Sequence, residues 1–278
     1  MNNMTSRTPL ILILSATLLL AAIGAYLFWP KDSMSVQEPA DAASQDAAKA
    51  AAAAGMSAGD RKATEAIVRA YILENPEIIT EAIGVLQKRE ATQRLSAVGS
   101  KLTEPFPGAE FGNPNGDVTL VEFTDYNCGY CRSSVADVQK LIDSDSNIRV
   151  VIREVPILSA TSRDAALWAL AAAKQGKHKA FHDAMFSGGR PDAQSIRAAA
   201  SKAGMNLAAA EKFARSREAM AEVESNIAIM QQVGFGGTPT FIIGDQILEG
   251  AVGFDALKAA VAHIVAVVGG VDDDGVLA

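Results

Sequence analysis

Both cysteines of this 278-residue chain fall in one short stretch, TDYNCGYCR at 124–132, three positions apart as Cys128 and Cys131. An apolar, β-branched run, VTLVEF at 118–123, precedes it and is bounded upstream by Asn-Gly-Asp, which reads as a buried strand. After it comes CRSSVADVQKLID, where Val135, Val138, Leu141 and Ile142 recur at helical spacing. Any fold for this chain therefore has to turn from strand to helix at the two thiols.

A strand running into C-x-x-C at a helix start is a thioredoxin-like arrangement. It places Cys128 at the helix N-terminus, where unpaired N–H groups and the helix dipole favour a thiolate, by about 0.3–2 kcal/mol. Cys131, almost one turn further on, can attack a mixed disulfide formed at Cys128 and release its other half. Cys128 is the expected nucleophile and Cys131 the resolving thiol. Gly129 and Tyr130 between them bring no positive charge, so the thiolate depends mainly on the helix end. The small Gly129 is expected to leave Cys128 accessible, and the Tyr130 ring to offer an apolar contact to a polypeptide. Glu122 lies on the preceding strand, six residues before Cys128. It reads either as a buried carboxylate that relays the proton of Cys131 or as a solvent-facing strand residue.

A second signal is GFGGTPTF at 234–241. Pro239 heading a strand cannot donate to the ladder and often marks a cis bond, while the glycines before it let a substrate approach the backbone at Thr238. The remaining order is α/β. Ile148–Val155 reads as a strand and 163–232 as a long helical region. Two strands follow around Gly244-Asp245, then a closing helix over Leu257–Val268 and a disordered acidic tail at 269–278.

Upstream, residues 30–59 are an Ala-rich linker in which Ala42–Ala54 is compatible with helix. Asp60 is the expected cap of a helix carrying Ile67, Val68, Tyr71 and Ile72 on one face. Asn75-Pro76 interrupts it, with Pro76 as the first residue of a second helix bearing Ile79, Ile83 and Leu86. Two such helices bury little against each other. They need a partner: their own domain, a membrane face, or copies of themselves. Ahead of them, Leu10–Trp29 runs twenty residues without a charge. That length spans a bilayer, and Arg7 before it leaves the N-terminus inside and exports everything from Pro30 onward. Residues 9–29 thus read as an anchor in the inner membrane, or as a signal peptide cut near Ala22-Ile23-Gly24.

Composition excludes some classes. A formal charge of −7 supplies no basic stripe for nucleic acid. Aromatics are only 6 % of residues, and the alanine excess reads as helix and linker rather than as an unusually large core. Two thiolates are soft ligands that suit Cu(I), which leaves a Cu(I)-binding envelope protein as an alternative to an enzyme, whereas a zinc site normally wants four ligands. His178 and His182, spaced i, i+4, are expected on a solvated or packed helix face. No metal or other cofactor is expected beyond a redox-active Cys128–Cys131 disulfide.

With these residues in view, the chain resembles the DsbA-like thiol–disulfide oxidoreductases of the bacterial envelope. FTDYNCGYCR, REVPIL, FHDAMF and GTPTFIIGDQILEGA carry the resemblance, over residues 106–268. It implies a thioredoxin-like fold with a helical insertion at about 160–232. Cys128 and Cys131 become the redox pair, Pro239 the cis-proline opposite them, Thr238 the residue before it and Glu122 the buried acid. The extension at 60–103, with YILENPEIITEAI, is similar to that of ScsC-type members, which can trimerise through it. The Gly-Tyr dipeptide departs from the Pro-His of typical DsbA oxidases and matches DsbC-type isomerases. The resemblance therefore implies a periplasmic isomerase or reductase of cysteine-bearing exported proteins, kept reduced by a membrane partner. A dithiol oxidase recycled by a quinone-linked partner is the alternative.

Overall fold

The computed structural model describes residues 39–269. The stretch 9–29 and the acidic tail from residue 270 lie outside them. Among the described residues no helix is long and apolar enough to cross a membrane. The chain divides after Ile78 into two compact units.

The first unit holds helices α1 (Pro39–Ala53) and α2 (Ala58–Glu74). The Ala-rich segment expected as linker is thus largely helix, which alanine forms without needing an apolar face. Ser57, not Asp60, caps α2: its hydroxyl accepts from Asp60 N at 3.1 Å, and Asp60 Oδ2 accepts from Ser57 N at 3.0 Å. Asp60 is the returning arm of a capping box. No residue of α2 is buried.

Helix α3 (Glu77–Val98) starts one residue after Pro76 rather than on it, with its first two residues in the first unit and the rest in the second, and ends in a 3-10 turn over Gly99–Leu102. Its apolar residues divide. Ile79, Ile83, Val85 and Leu86 stay about half exposed, whereas Leu95, Val98 and Leu102 are buried in the core. The extension read as 60–103 is therefore not one body, because its last turns belong to the domain that follows.

That domain is built on a five-stranded sheet of β1 (Glu110–Gly112), β2 (Val118–Thr124), β3 (Ile148–Glu154), β4 (Thr240–Ile243) and β5 (Gln246–Glu249), in the order β1-β3-β2-β4-β5. Only β2 and β3 pair in parallel, and α4 (Gly129–Ser144) crosses between them. Strand β1 was not foreseen, since three residues are too short to show alternation. Between β3 and β4 lie five helices: α5 (Ala160–Lys174), α6 (His178–Ser187), α7 (Ala193–Lys202), α8 (Leu207–Ala214) and α9 (Arg217–Val233). Helix α9 stops at Gly234, whose φ of +87° suits a residue without Cβ and lets its N–H reach Met230 O at 2.9 Å. Helix α10 (Phe254–Gly269) closes the described chain.

The period-2 alternation of the strands sorts side chains to two faces. Leu120, Val150, Ile152 and Phe241 pack with Val138 and Leu141 of α4 and Leu257 of α10. Val121, Phe123, Val151 and Ile242 pack with Leu95 and Val98 and with Ile229 and Val233 of α9. Alanine is core here as well as helix, which corrects the compositional expectation: Ala165, Ala169, Ala171 and Ala172 of α5 are fully buried and let neighbouring helices approach closely. One buried cation ties these layers together. Arg153 pairs with Glu222 at 3.2 Å and Asn226 at 3.0 Å, and donates to the carbonyls of Lys101, Leu102 and Glu104. The end of α3 is thereby fixed to β3, beside the strand β2 that leads into the thiols.

Candidate functional site

Strand β2 ends at Thr124, and Asp125–Asn127 turns the chain so that Cys128 becomes the N-cap of α4, with extended backbone at φ −83°, ψ 120°. The turn is self-made: Cys128 N donates to Asp125 O at 3.0 Å and Asn127 N to Asp125 Oδ1 at 2.8 Å. Both cysteines are free thiols. Cys128 Sγ accepts from Cys131 N at 3.4 Å and donates to Thr238 O at 3.1 Å. Thr238-Pro239 is a cis peptide bond. The structure thus brings together Cys128, Cys131, Thr238 and Pro239, with Gly129 and Tyr130 between the thiols.

Cys128 is only 6 % exposed, which corrects the expected accessibility. Its sulfur is turned inward by the Thr238 carbonyl, not shaded by the dipeptide. A Cβ added at Gly129 would meet nothing within 4 Å, and Tyr130 is 70 % exposed. Cys131 is fully buried, and burial pushes its thiol far up, so it rests protonated. The backbone at Asp125 and the hydroxyls of Thr238 and Thr124 pull the other way. Neither hydroxyl has another partner, so both are free to donate to a Cys131 thiolate when one forms.

Glu122 is buried, so the solvent-facing alternative is wrong. Burial, with the neighbouring Glu154 carboxylate adding to it, pushes its carboxyl up to about 8. Its Oε1 has no hydrogen-bond partner, and no hydrogen bond joins it to Cys131 among the described residues. It lines a cavity of about 10 Å³ with Val138, His182, Lys179 and Asp183, room for about one water.

Sequence reasoning missed the group behind it. Glu154 Oε1 accepts from the Tyr126 hydroxyl at 3.0 Å and lies 3.1 Å from His178 Nε2, while the Tyr126 hydroxyl is 3.4 Å from His182 Nδ1. All four residues are buried. Burial raises the Glu154 carboxyl, His178 and Tyr126 partly offset it, and burial holds His182 well below its ordinary value, hence neutral. The two histidines are therefore packed, not solvated. The available signal was positional: Tyr126, Glu154 and His182 sit in FTDYNCGYCR, REVPIL and FHDAMF, the stretches that carried the resemblance.

Comparison with known proteins agrees with this geometry. Residues 119–262 match the DSBA-like thioredoxin domain, and residues 60–93 match the copper resistance protein ScsC N-terminal domain. A thioredoxin-like oxidoreductase from Silicibacter pomeroyi is 39 % identical, with TM-score 0.58, covering 60 % of this chain and 96 % of that one. A linker-deleted mutant of ScsC from Proteus mirabilis is 27 % identical, with TM-score 0.61, covering 76 % and 97 %. A periplasmic thioredoxin-like protein from Salmonella enterica serovar Typhimurium is 28 % identical, with TM-score 0.57, covering 62 % and 98 %. Among curated sequences, a Na+/H+ antiporter of Salinispora arenicola is 27 % identical over 147 residues; the match takes in 52 % of this chain but only 22 % of the antiporter's length.

Proposed function

The chain belongs to the DSBA-like thioredoxin family, whose members are thiol–disulfide oxidoreductases, and on that premise we propose that it works as a disulfide isomerase or reductase on the cysteines of exported proteins. One observation carries the choice of direction. Among the described residues Cys128 Sγ is met by one N–H and one carbonyl, and by no cation. Arg132, the nearest cation in sequence, is engaged by the carbonyls of Phe186, Gly188 and Gly189. A strong oxidant is one whose reduced form is strongly stabilised. Here the helix end acts alone, which favours isomerase or reductase over dithiol oxidase.

The chemistry follows from the contacts. Loss of the Cys128 proton ends its bond to Thr238 O, which frees that carbonyl for a client N–H. The thiolate attacks a client disulfide: a Cys128–client S–S bond forms, the client S–S bond breaks, and the other client sulfur leaves as thiolate. If that thiolate attacks a different client disulfide bond, and a client sulfur finally displaces Cys128, pairing has changed without net electron transfer. If Cys131 instead loses its proton and attacks Cys128 Sγ, the client departs with two thiols and the protein holds the Cys128–Cys131 disulfide. A dithiol partner at the membrane must then return two electrons. Glu122 is the proposed proton carrier for Cys131, since a carboxyl near 8 both gives and takes a proton close to neutral pH. The periplasm is the proposed compartment, supported by the Salmonella relative.

Isomerisation gains from several thiols on one assembly. Ile67 (69 % exposed) and Tyr71 (56 % exposed) of α2 leave an apolar face uncovered, on the segment that matches the ScsC N-terminal domain. Copies of this chain, as a homotrimer, are the proposed cover. Light scattering on the full chain should give three times the chain mass, and the double variant Ile67→Glu, Tyr71→Glu should give the monomer. A monomer in both would remove the assembly.

A further inference from the structure

The helical block between β3 and β4 holds a cavity of about 330 Å³ whose lining includes no residue of the thiol loop. That size lies at the lower end of small-molecule sites, which run from about 300 to 1,000 Å³. Helix periodicity builds it. Residues three and four apart share a helix face, and α5, α7 and α8 each turn such a set toward the cavity. On α5 the set runs from Asp164 to Trp168, on α7 from Ala193 to Arg197, and on α8 from Glu211 to Arg215, while α9 adds Met220. Two of the lining side chains, Ala193 and Ala214, are too small to fill the space.

The polar groups form a ladder along the lining. Arg197 lies over Trp168 with its guanidinium carbon 5.7 Å from the ring centroid, and its Nη2 reaches Glu211 Oε2 at 2.7 Å. Glu211 Oε1 accepts from Arg215 Nη2 at 2.6 Å. One carboxylate thus serves two guanidiniums, each of which carries five N–H donors and gives it one. Asp164 is in the opposite condition. Among the described residues its carboxylate meets no cation, and Arg163 beside it is taken by Glu224. Two arginines and two carboxylates cancel, yet donors are in surplus at Arg197 and Arg215 while an acceptor is left over at Asp164.

We propose that this cavity binds a zwitterionic peptide of two or three residues with apolar side chains. A net anion would meet Asp164 and a net cation would meet the guanidiniums, so the balanced lining selects a ligand that carries both charges. Its ammonium group pairs with Asp164, its carboxylate takes spare N–H groups of Arg197, and its side chains lie against Trp168 and the exposed Met220. The lining also sets the length. Asp164 and Trp168 are one helical turn apart, about 5–6 Å between Cβ atoms, and Arg197 lies 5.7 Å beyond the Trp168 ring. The two charges of the ligand are therefore roughly 6–12 Å apart, which two or three extended residues span at about 3.5 Å each. The peptide needs no cysteine, because the site makes no covalent bond to it.

Calorimetry on the full-length protein tests the assignment with a dipeptide of two leucines, its N-acetyl form and its C-terminal amide. The free dipeptide should bind saturably, and each blocked form about tenfold more weakly, the scale of one lost hydrogen bond between charged groups. Asp164→Asn, at an exposed position, should bring the free dipeptide down to the affinity of the acetyl form while keeping the preference for a free carboxylate. In a Trp29→Phe protein Trp168 is the sole tryptophan, and its emission should change with the same saturation. Cys128→Ala should bind as the parent does. Absence of saturable binding at millimolar dipeptide, or an Asp164→Asn protein that still discriminates against the acetyl form, overturns the site. Loss of binding in Cys128→Ala would place the dipeptide at the thiols and overturn it as well.

Discussion

Cys131→Ala is expected to accumulate covalent adducts with cysteine-bearing exported proteins, visible as bands lost on reduction, whereas Cys128→Ala should form none. The asymmetry comes from position. Cys128 caps α4 and has only a thiol bond to Thr238 O to give up before its sulfur is free. Cys131 is fully buried, with its thiol held protonated by burial, so it cannot meet a client sulfur first. Its place is to attack a bond already made at Cys128, helped by the Thr124 and Thr238 hydroxyls. Removing it leaves the mixed disulfide with no internal exit, and client reduction should fall by about a thousandfold or more, the scale of losing a reacting group. Adducts on the Cys128→Ala protein would reverse the two roles.

Glu122→Gln should flatten the dependence of stability on pH. The carboxyl titrates near 8 in the folded protein against 4.5 in the unfolded chain. Below 4.5 it is neutral in both states and contributes no slope. Between 4.5 and 8 the folded state holds a proton that the unfolded state has lost. Stability therefore falls as pH rises, by up to about 1.4 kcal/mol per unit and about 5 kcal/mol across the window. Above 8 both states are ionised and the fall ends. Glu154, also raised by burial, adds a slope of the same sign that the variant keeps. Chemical denaturation at pH 5 and pH 8 should show the parent losing stability and Glu122→Gln losing markedly less. Equal losses would mean that Glu122 does not carry this proton.

The parts of the fold legible in sequence were those with local causes. VTLVEF and IRVVIREV are β-branched runs, α4 shows its stripe in Val135, Val138, Leu141 and Ile142, and Gly244-Asp245 marks the hairpin that β4 and β5 form. The C-x-x-C spacing placed Cys128 at a helix start because helix ends are local as well. What stayed hidden depends on distant partners. The Thr238 carbonyl that turns Cys128 inward lies 110 residues away. The cluster around Glu154 joins Tyr126 and His178 across 28 and 24 residues, each from a different element. Alternation could assign Glu122 to a face but not say what covers that face. The end of α3 was assigned to an extension because nothing in Leu95 or Val98 tells that β2 and α9 await them.

The direction in which the thiol pair runs is best tested by giving the full-length protein a scrambled-disulfide substrate and the same substrate fully reduced, with and without Ile67→Glu, Tyr71→Glu. An isomerase built on an assembly restores activity to the scrambled substrate faster than it oxidises the reduced one, and the double variant loses that unscrambling while keeping reduction of peptide disulfides. Fast oxidation with poor unscrambling, indifferent to the α2 variant, would contradict it and make the protein a dithiol oxidase.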